Sequence, residues 1–337
     1  MIVGWFLLAA FIVSYVLTFG LRRYALSRSL MDIPNERSAH SVPTPRGGGV
    51  AFVISFLVAL PFLAHFEWID APTLYALMGA GLLVAIIGFA DDHGHIAARW
   101  RLLGHFVAAA WALFWIGGLS PLSLLNTRID LGWIGQVLAL VYLVWMLNLY
   151  NFMDGIDGLA SAEMISVCLG MCLVYGFGMH SDLTWAPLTL AAAVAGFLCW
   201  NFPPAKIFMG DAGSGFMGLI AGAMSLSSAW HQPELLWSWV ILSGVFIVDA
   251  TWTLVRRLSR GEKVYQAHSD HGYQHAARRF GHKKVTLTVV GINIAFLLPI
   301  SLLVALNYLD AFWAVVIAFA PLVVVAIVLK AGQARVV

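Results

Sequence analysis

Asn148 to Leu159 reads Asn-Leu-Tyr-Asn-Phe-Met-Asp-Gly-Ile-Asp-Gly-Leu and follows directly on a long apolar run. Two amides, Asn148 and Asn151, and two carboxylates, Asp154 and Asp157, are costly there unless they face water, one another or a cation. If the helix extends, the three-residue spacing of Asn148, Asn151 and Asp154 sets them on roughly one face, within reach of a common ligand. Asp91 and Asp92 end another apolar run, ahead of His93, His95, Arg99 and Arg101. A carboxylate pair at a helix C-terminus opposes the helix dipole and repels itself, so a bound cation or a catalytic use is expected to offset it. A solvated helix end is the plainer alternative, and His-x-His is too common a spacing to mark a metal site alone.

Phe208 to Gly215 reads Phe-Met-Gly-Asp-Ala-Gly-Ser-Gly. Asp211 stands at an expected N-cap with small residues after it, which leaves backbone N–H groups free for an anion such as a diphosphate. Simple capping, with glycines for helix packing, is the competing possibility. Two loops complete the polar set. Asp32 to His40, then Pro43, Pro45, Arg46 and Gly47 to Gly49, form a shaped loop rather than a helix. Residues 256–284 hold Arg256, Arg257, Arg260, Lys263, His268, Asp270, His271, Tyr273, Gln274, His275, Arg278 and Arg279. Those histidines and arginines suit metal, proton or phosphate chemistry, or simply attraction to anionic lipid. Asp249 is expected to be a structural partner of a neighbouring helix or of the basic end at Arg256.

The elements that must position these groups are membrane helices. Of 337 residues 61% are hydrophobic and 11% charged, with mean hydropathy +0.85, where soluble domains carry about 25% charged residues. The expected fold is all-α, a polytopic bundle in one domain over residues 1–337. Eleven apolar runs approach the ~20 residues a crossing needs: near 2–20, 48–66, 72–90, 102–119, 133–150, 160–178, 184–202, 213–230, 235–255, 285–306 and 312–330. The first is not expected to be a cleavable signal, being long and followed by Arg22 and Arg23. With loops alternating sides, 18 of the 19 Lys and Arg fall on one side, leaving Arg128 opposite. That distribution predicts an N-terminus outside and a cytoplasmic C-terminus, with the chemistry on the cytoplasmic face. Cys168, Cys172 and Cys199 lie in apolar runs and are expected to be packing residues.

Carboxylates and amides at cytoplasmic helix ends suggest a Mg²⁺-assisted reaction on a phosphorylated substrate, because Mg²⁺ takes few carboxylates and completes its shell with phosphate oxygens and water. A membrane-embedded enzyme implies a lipid partner.

At these residues the sequence resembles the polyprenyl-phosphate N-acetylhexosamine-1-phosphate transferases. This family includes the bacterial enzymes that start O-antigen and enterobacterial common antigen lipids, and the phospho-MurNAc-pentapeptide transferase. The first loop looks like its Pro-x-x-Arg-x-x-His followed by Pro-x-Pro and Gly-Gly; Asp91 and Asp92 match its Asp-Asp motif. Asn148 to Leu159 matches Asn-x-x-Asn-x-x-Asp-Gly-x-Asp-Gly, Phe208 to Ser214 its Gly-Asp segment, and Asp249 through the histidine loop its last cytoplasmic element. The resemblance implies transfer of a sugar-1-phosphate from a UDP-N-acetylhexosamine to undecaprenyl phosphate in the bacterial inner membrane, releasing UMP, with Mg²⁺ or Mn²⁺ in its place. It implies Asp211 as metal ligand with Asn151 close by, and Asp154 near the diphosphate. Phe208 would stack on uracil and Asp157 bond it. Asp91 would orient or deprotonate the lipid phosphate, supported by Asp92, and Arg101 would hold phosphate. His271 is implied as catalytic, and Asn148, His40 and Arg278 as substrate-binding.

Two departures stand out. The family's His-x-His-His reads His271, Gly272, Tyr273, Gln274 here, and His93 replaces a third acidic residue of the peptidoglycan enzymes. Eleven spans and the Ala-His-Ser-Asp-His-Gly-Tyr-Gln run look more like the branch that starts O-antigen and related glycans, with N-acetylglucosamine or a 6-deoxy relative such as N-acetylfucosamine or N-acetylquinovosamine as the sugar. The peptidoglycan branch is the alternative, and a proton-coupled transporter or flippase is the alternative from another class. No nucleic-acid partner is expected; a homodimer is left open.

Overall fold

The structure is a computed structural model that describes residues 2–34, 42–94, 96–262 and 268–333. Apolar runs become helices α1 (Ile2–Ser27), α2 (Val50–His65, with Pro61 inside it), α3 (Ala71–Gly94), α4 (Ala98–Ile116), α5 (Gly132–Met153), α6 (Leu159–Phe177), α7 (Trp185–Asn201) and α8 (Asp211–Ala229). They continue as α9 (Glu234–Leu242), α10 (Gly244–Ser259), α11 (Gly272–Phe280), α12 (His282–Ile292), α13 (Leu298–Ala305) and α14 (Ala311–Val328), with a π-helical turn at Asn293–Leu297 joining α12 to α13. Two antiparallel ribbons punctuate the loops: β1 (Met31–Asp32) with β2 (Thr44–Pro45), and β3 (Leu122–Leu124) with β4 (Thr127–Ile129). The first gives the Pro- and Gly-rich loop its shape.

Helix occupies each of the eleven expected runs, but not uniformly. Among the described residues seven helices are long and apolar enough to cross a membrane, or eight if α9 with α10 counts as one bent span. α2 falls short in length, and α4 and α8 in apolarity, because α4 opens with Arg99 and Arg101 and α8 is rich in Gly, Ser and Ala. The run at 235–255, expected as one span, breaks at Ser243, where the two halves meet at 72°. Ser243 has ψ near 0°, which ends the α9 turn without any proline to announce it. Outer faces carry exposed apolar side chains such as Phe114, Ile294 and Val328, suited to lipid rather than water. The chain is a multi-pass membrane protein.

α8 lies at the centre, buried from Ala212 to Leu226, and its small residues let α3 and α5 pack closely on either side. Helix ends alternate along the bundle. One end gathers the C-termini of α3 and α5 with the N-termini of α4, α8 and α11. At the other, Trp230 donates to Gly118 O (3.1 Å), Gln232 to Ala305 O (2.8 Å), and the Asn126 N–H to Asp310 (2.9 Å).

Candidate active site

The site starts from a close backbone contact. A Cβ on Gly88 would lie 2.5 Å from Ala212 Cα, so α3 crosses the start of α8 where only glycine fits, and its last turns deliver Asp91 and Asp92 to the α8 N-terminus. Asp92, with a side chain only 3% exposed, accepts the N–H groups of Asp211 (3.2 Å) and Ala212 (3.4 Å) and pairs with Arg46 from the loop before α2. Gly210, the N-cap of α8, has φ +81°, and a Cβ there would meet Asp92 Oδ2 at 2.6 Å. Both facts require glycine.

Two expectations are corrected here. Asp211 is the first residue of α8 rather than its cap, and the amides expected to be open to an anion already serve Asp92. The cost of two adjacent carboxylates is offset within the chain, by Arg46 and a helix N-terminus for Asp92, and by Arg101 and the Ile96 N–H (2.8 Å) for Asp91.

Arg101 bridges onward, 3.4 Å from Asp211 Oδ2. Asn151 donates to Asp211 Oδ1 and to Ser214 Oγ, both at 3.0 Å, which uses both amide hydrogens. Asp154 closes α5, and its carboxylate has no hydrogen bond or ion pair among the described residues. Burial, then the charges of Asp211, Asp92 and Asp157, push its pKa well above the usual carboxylate range. Burial and the neighbouring Asp92 likewise push Asp211 up to about 6. A buried surplus of negative charge on oxygen donors suits a hard cation. Among the described residues no three carboxylate, imidazole or thiol groups converge to enclose one unaided.

Beside the acidic cluster opens a cleft of about 620 Å³, walled by Thr44, Asp157, Ala205, Phe208, His282 and the two lysines Lys283 and Lys284 among others. Asp157 Oδ2 accepts the Ala205 N–H (3.0 Å), Oδ1 lies 3.3 Å from His282 Nδ1, and its carbonyl accepts the Thr286 hydroxyl (3.2 Å). Phe208 is held by strand-like bonds, its N–H to Pro45 O (2.8 Å) and Gly48 N–H to its O (2.9 Å). Three short segments therefore each run from the cleft to the cluster: Thr44 to Arg46, Asp157 to Asp154, and Phe208 to Asp211. Sequence reasoning passed over His282, Lys283 and Lys284, which sit just ahead of an apolar run and read there as ordinary flanking residues.

The histidine loop is built on Asp249. Its carboxylate accepts the Gly272 (2.9 Å) and Tyr273 (2.8 Å) N–H groups at the start of α11 and lies 3.3 Å from His271 Nδ1. His271 is buried, stacked between His268 (4.9 Å) and Phe152 (6.4 Å between centroids). Tyr273 ties α11 to the end of α5 by donating to Phe152 O (2.9 Å). Arg257, also buried, pairs with Glu262 (2.7 Å). Arg278 braces its own loop through Ser269 O (2.8 Å), and Asn148 donates back to Val144 O within α5 (2.7 Å). The structure thus brings Asp91, Asp92, Arg101, Asn151, Asp154 and Asp211 together, sets Asp157 and Phe208 in the adjoining cleft, and puts His271 behind Phe152. His40 and His95 lie outside the described residues.

Comparison with known proteins identifies the family. Residues 74–229 match the profile of glycosyl transferase family 4. A protein of Mycolicibacterium smegmatis named decaprenyl-phosphate N-acetylglucosaminephosphotransferase is 31% identical over 312 residues, 82% of this chain and 75% of its own length. One of Bacillus subtilis, named "Probable undecaprenyl-phosphate N-acetylglucosaminyl 1-phosphate transferase", is 29% identical over 88% of this chain and 84% of its own length. The phospho-N-acetylmuramoyl-pentapeptide-transferase of Halalkalibacterium halodurans is 27% identical over 82% and 89%. With a relative this similar along most of both lengths, and with the family's motifs meeting at one end of the bundle, the chain belongs to the polyprenyl-phosphate N-acetylhexosamine-1-phosphate transferase family.

Proposed function

We propose that the protein transfers N-acetylhexosamine-1-phosphate from a UDP-sugar to undecaprenyl phosphate and releases UMP, as the first membrane step of a cell-surface polysaccharide such as O-antigen. N-acetylglucosamine, or a 6-deoxy relative, is the sugar. The observation that carries this is the trio of segments linking an aromatic-walled cleft, able to hold a uracil, to an acidic cluster able to meet a diphosphate. The names of the relatives support the sugar and the lipid class. One integral domain is proposed, with eleven crossings taken from the eleven apolar runs, and with the N-terminus outside and the cluster facing the cytoplasm of the bacterial inner membrane taken from the basic-residue distribution.

The reaction is a direct displacement. A lipid phosphate oxygen forms the new bond to the β-phosphorus of the UDP-sugar, the bond between that phosphorus and the bridging oxygen breaks, and UMP leaves with the electron pair. Asp91, aligned by Arg101 and the Ile96 amide, orients the incoming phosphate and accepts its proton if it arrives protonated. Arg101, between Asp91 and Asp211, meets phosphate oxygens. Asp92 acts indirectly, committed to Arg46 and the α8 amides. Asp211, with Asn151 and Asp154 at hand, would hold a Mg²⁺ ion, which would supply neutralisation of diphosphate charge.

Purified full-length protein, given undecaprenyl phosphate, Mg²⁺ and a panel of UDP-sugars, is expected to release UMP with UDP-N-acetylglucosamine or a 6-deoxy analogue. Release only with UDP-MurNAc-pentapeptide would move the protein to the peptidoglycan branch, which the Halalkalibacterium relative keeps in view. No release with any donor would remove the proposal. UMP exchange into the UDP-sugar without lipid would favour a covalent aspartyl route over direct attack.

A further inference from the structure

His282 opens α12 at the rim of the cleft, and its Nδ1 lies 3.3 Å from Asp157 Oδ1 and 3.4 Å from the Asp157 backbone N. One ring nitrogen cannot donate to the first and accept from the second. An Nδ1 lone pair would be aimed at a carboxylate, whereas Nδ1–H makes a charge-assisted bond, so the Nδ1–H tautomer is assigned. The other carboxylate oxygen accepts the Ala205 N–H at 3.0 Å, and Thr286, one turn along α12, holds the Asp157 carbonyl at 3.2 Å. Gly158 is fixed in turn by Asn201, which also binds Ile207 O, one residue before Phe208 (both 3.0 Å). The start of α12 and the 201–208 loop therefore clamp Asp157 beside the Phe208 wall, with donors on both oxygens.

From this geometry we propose that His282 is a positioning residue for base recognition, one that keeps the Asp157 carboxylate an obligate acceptor and so selects uridine over cytidine nucleotides. This rests on the uridine contact proposed above. Uracil N3 carries a hydrogen and can donate to a fixed carboxylate. Cytosine N3 carries a lone pair, which the same carboxylate repels, and a site built to receive a donor rejects an analogue lacking it. Removing His282 frees Asp157 to rotate or to take a proton, and a protonated carboxyl can donate to cytosine.

The test is competition by UMP and CMP against UDP-sugar turnover in the full-length enzyme. Wild type is expected to prefer UMP. His282→Ala should raise the UDP-sugar KM and weaken UMP roughly 10-fold, as befits a charge-assisted bond of about 1.5 kcal/mol, with kcat within about twofold and CMP binding unchanged or better. His282→Asn, whose amide can donate to the same oxygen, should restore most of the preference. Should His282→Ala fail to fold, Asp157→Asn supplies the readout: its amide can present either a donor or an acceptor, so CMP binding should improve, and adding His282→Asn to it should change nothing further. An unaltered UMP preference in His282→Ala, or equal loss of UMP and CMP, overturns the role of His282 while leaving the transferase assignment standing. A wild type that binds neither nucleotide removes both.

Discussion

Asp211 meets Arg101, Asn151 and the helix that Asp92 caps, so its replacement should be the least tolerated in the molecule. Asp211→Asn is expected to lower UMP release by at least ~10³-fold, the order seen when a main electrostatic group is removed, with folding retained by size-exclusion profile. Wild-type Mg²⁺-dependent turnover in that variant would refute a ligand role. Because burial and Asp92 raise the Asp211 pKa to about 6, and burial with the neighbouring carboxylates raises that of Asp154, protons compete with the cation on the acid side. The half-saturating Mg²⁺ concentration should rise as pH falls through 6, and ion binding near pH 6 should release protons, seen as a buffer-dependent heat in calorimetry. A pH-independent Mg²⁺ requirement between 5.5 and 7.5 would contradict this. Arg46→Ala leaves Asp92, 3% exposed, without its counter-ion. The loss is expected to be about 2 kcal/mol, below the ~3–5 of a fully buried pair since Arg46 is itself partly exposed, and to show as a lower Tm in detergent. Asn151, Asp154 and Asp211 were legible in the sequence because polar groups at the ends of apolar runs must find water, a partner or an ion there. The partnership of Arg46 with Asp92 was not, because the two lie 46 residues apart and only the fold shows which of several loop cations faces which carboxylate.

Elements carry this site by touching at a few crowded points. Gly155 packs under Tyr273, and a Cβ there would fall 2.1 Å from the Tyr273 hydroxyl. Gly155→Ala should therefore push α11 off the end of α5, break the Tyr273–Phe152 bond and cost more than ~10-fold in activity, a displacement near the reacting groups being enough for that. Tyr273→Phe removes the offending oxygen and should restore part of the activity; a double variant no better than Gly155→Ala would show that the contact is not the cause. Helix content was readable from apolar length, whereas the 72° break at Ser243 was not, because Ser-Gly inside an apolar run carries no breaker as strong as proline. The same blindness hid Asp92 as the cap of α8, since capping is normally sought in the residues just before a helix and this cap comes from another helix.

Across the whole molecule, helix ends alternate between two sets of loops, and the basic residues fall almost entirely with one set. In a background lacking Cys168, Cys172 and Cys199, Thr127→Cys is expected to react with a membrane-impermeant maleimide added to intact spheroplasts, and Ser259→Cys only after lysis. The reverse pattern would invert the topology and place the cluster away from cytoplasmic nucleotide. The number of crossings was less legible than their positions, because α8 is enclosed by other helices and needs little apolarity of its own.

The three segments that join cleft to cluster are each anchored at both ends, by the Phe208–Pro45 and Gly49–Met209 bonds on one side and by Asp157 and the end of α5 on the other. Three residues of chain span at most ~10 Å, and none can stretch. For a donor seated by its base in the cleft, as proposed, they would act as a fixed gauge of how far its phosphates reach toward Asp211 and Arg101. Donor length would then be screened before any contact with the sugar itself.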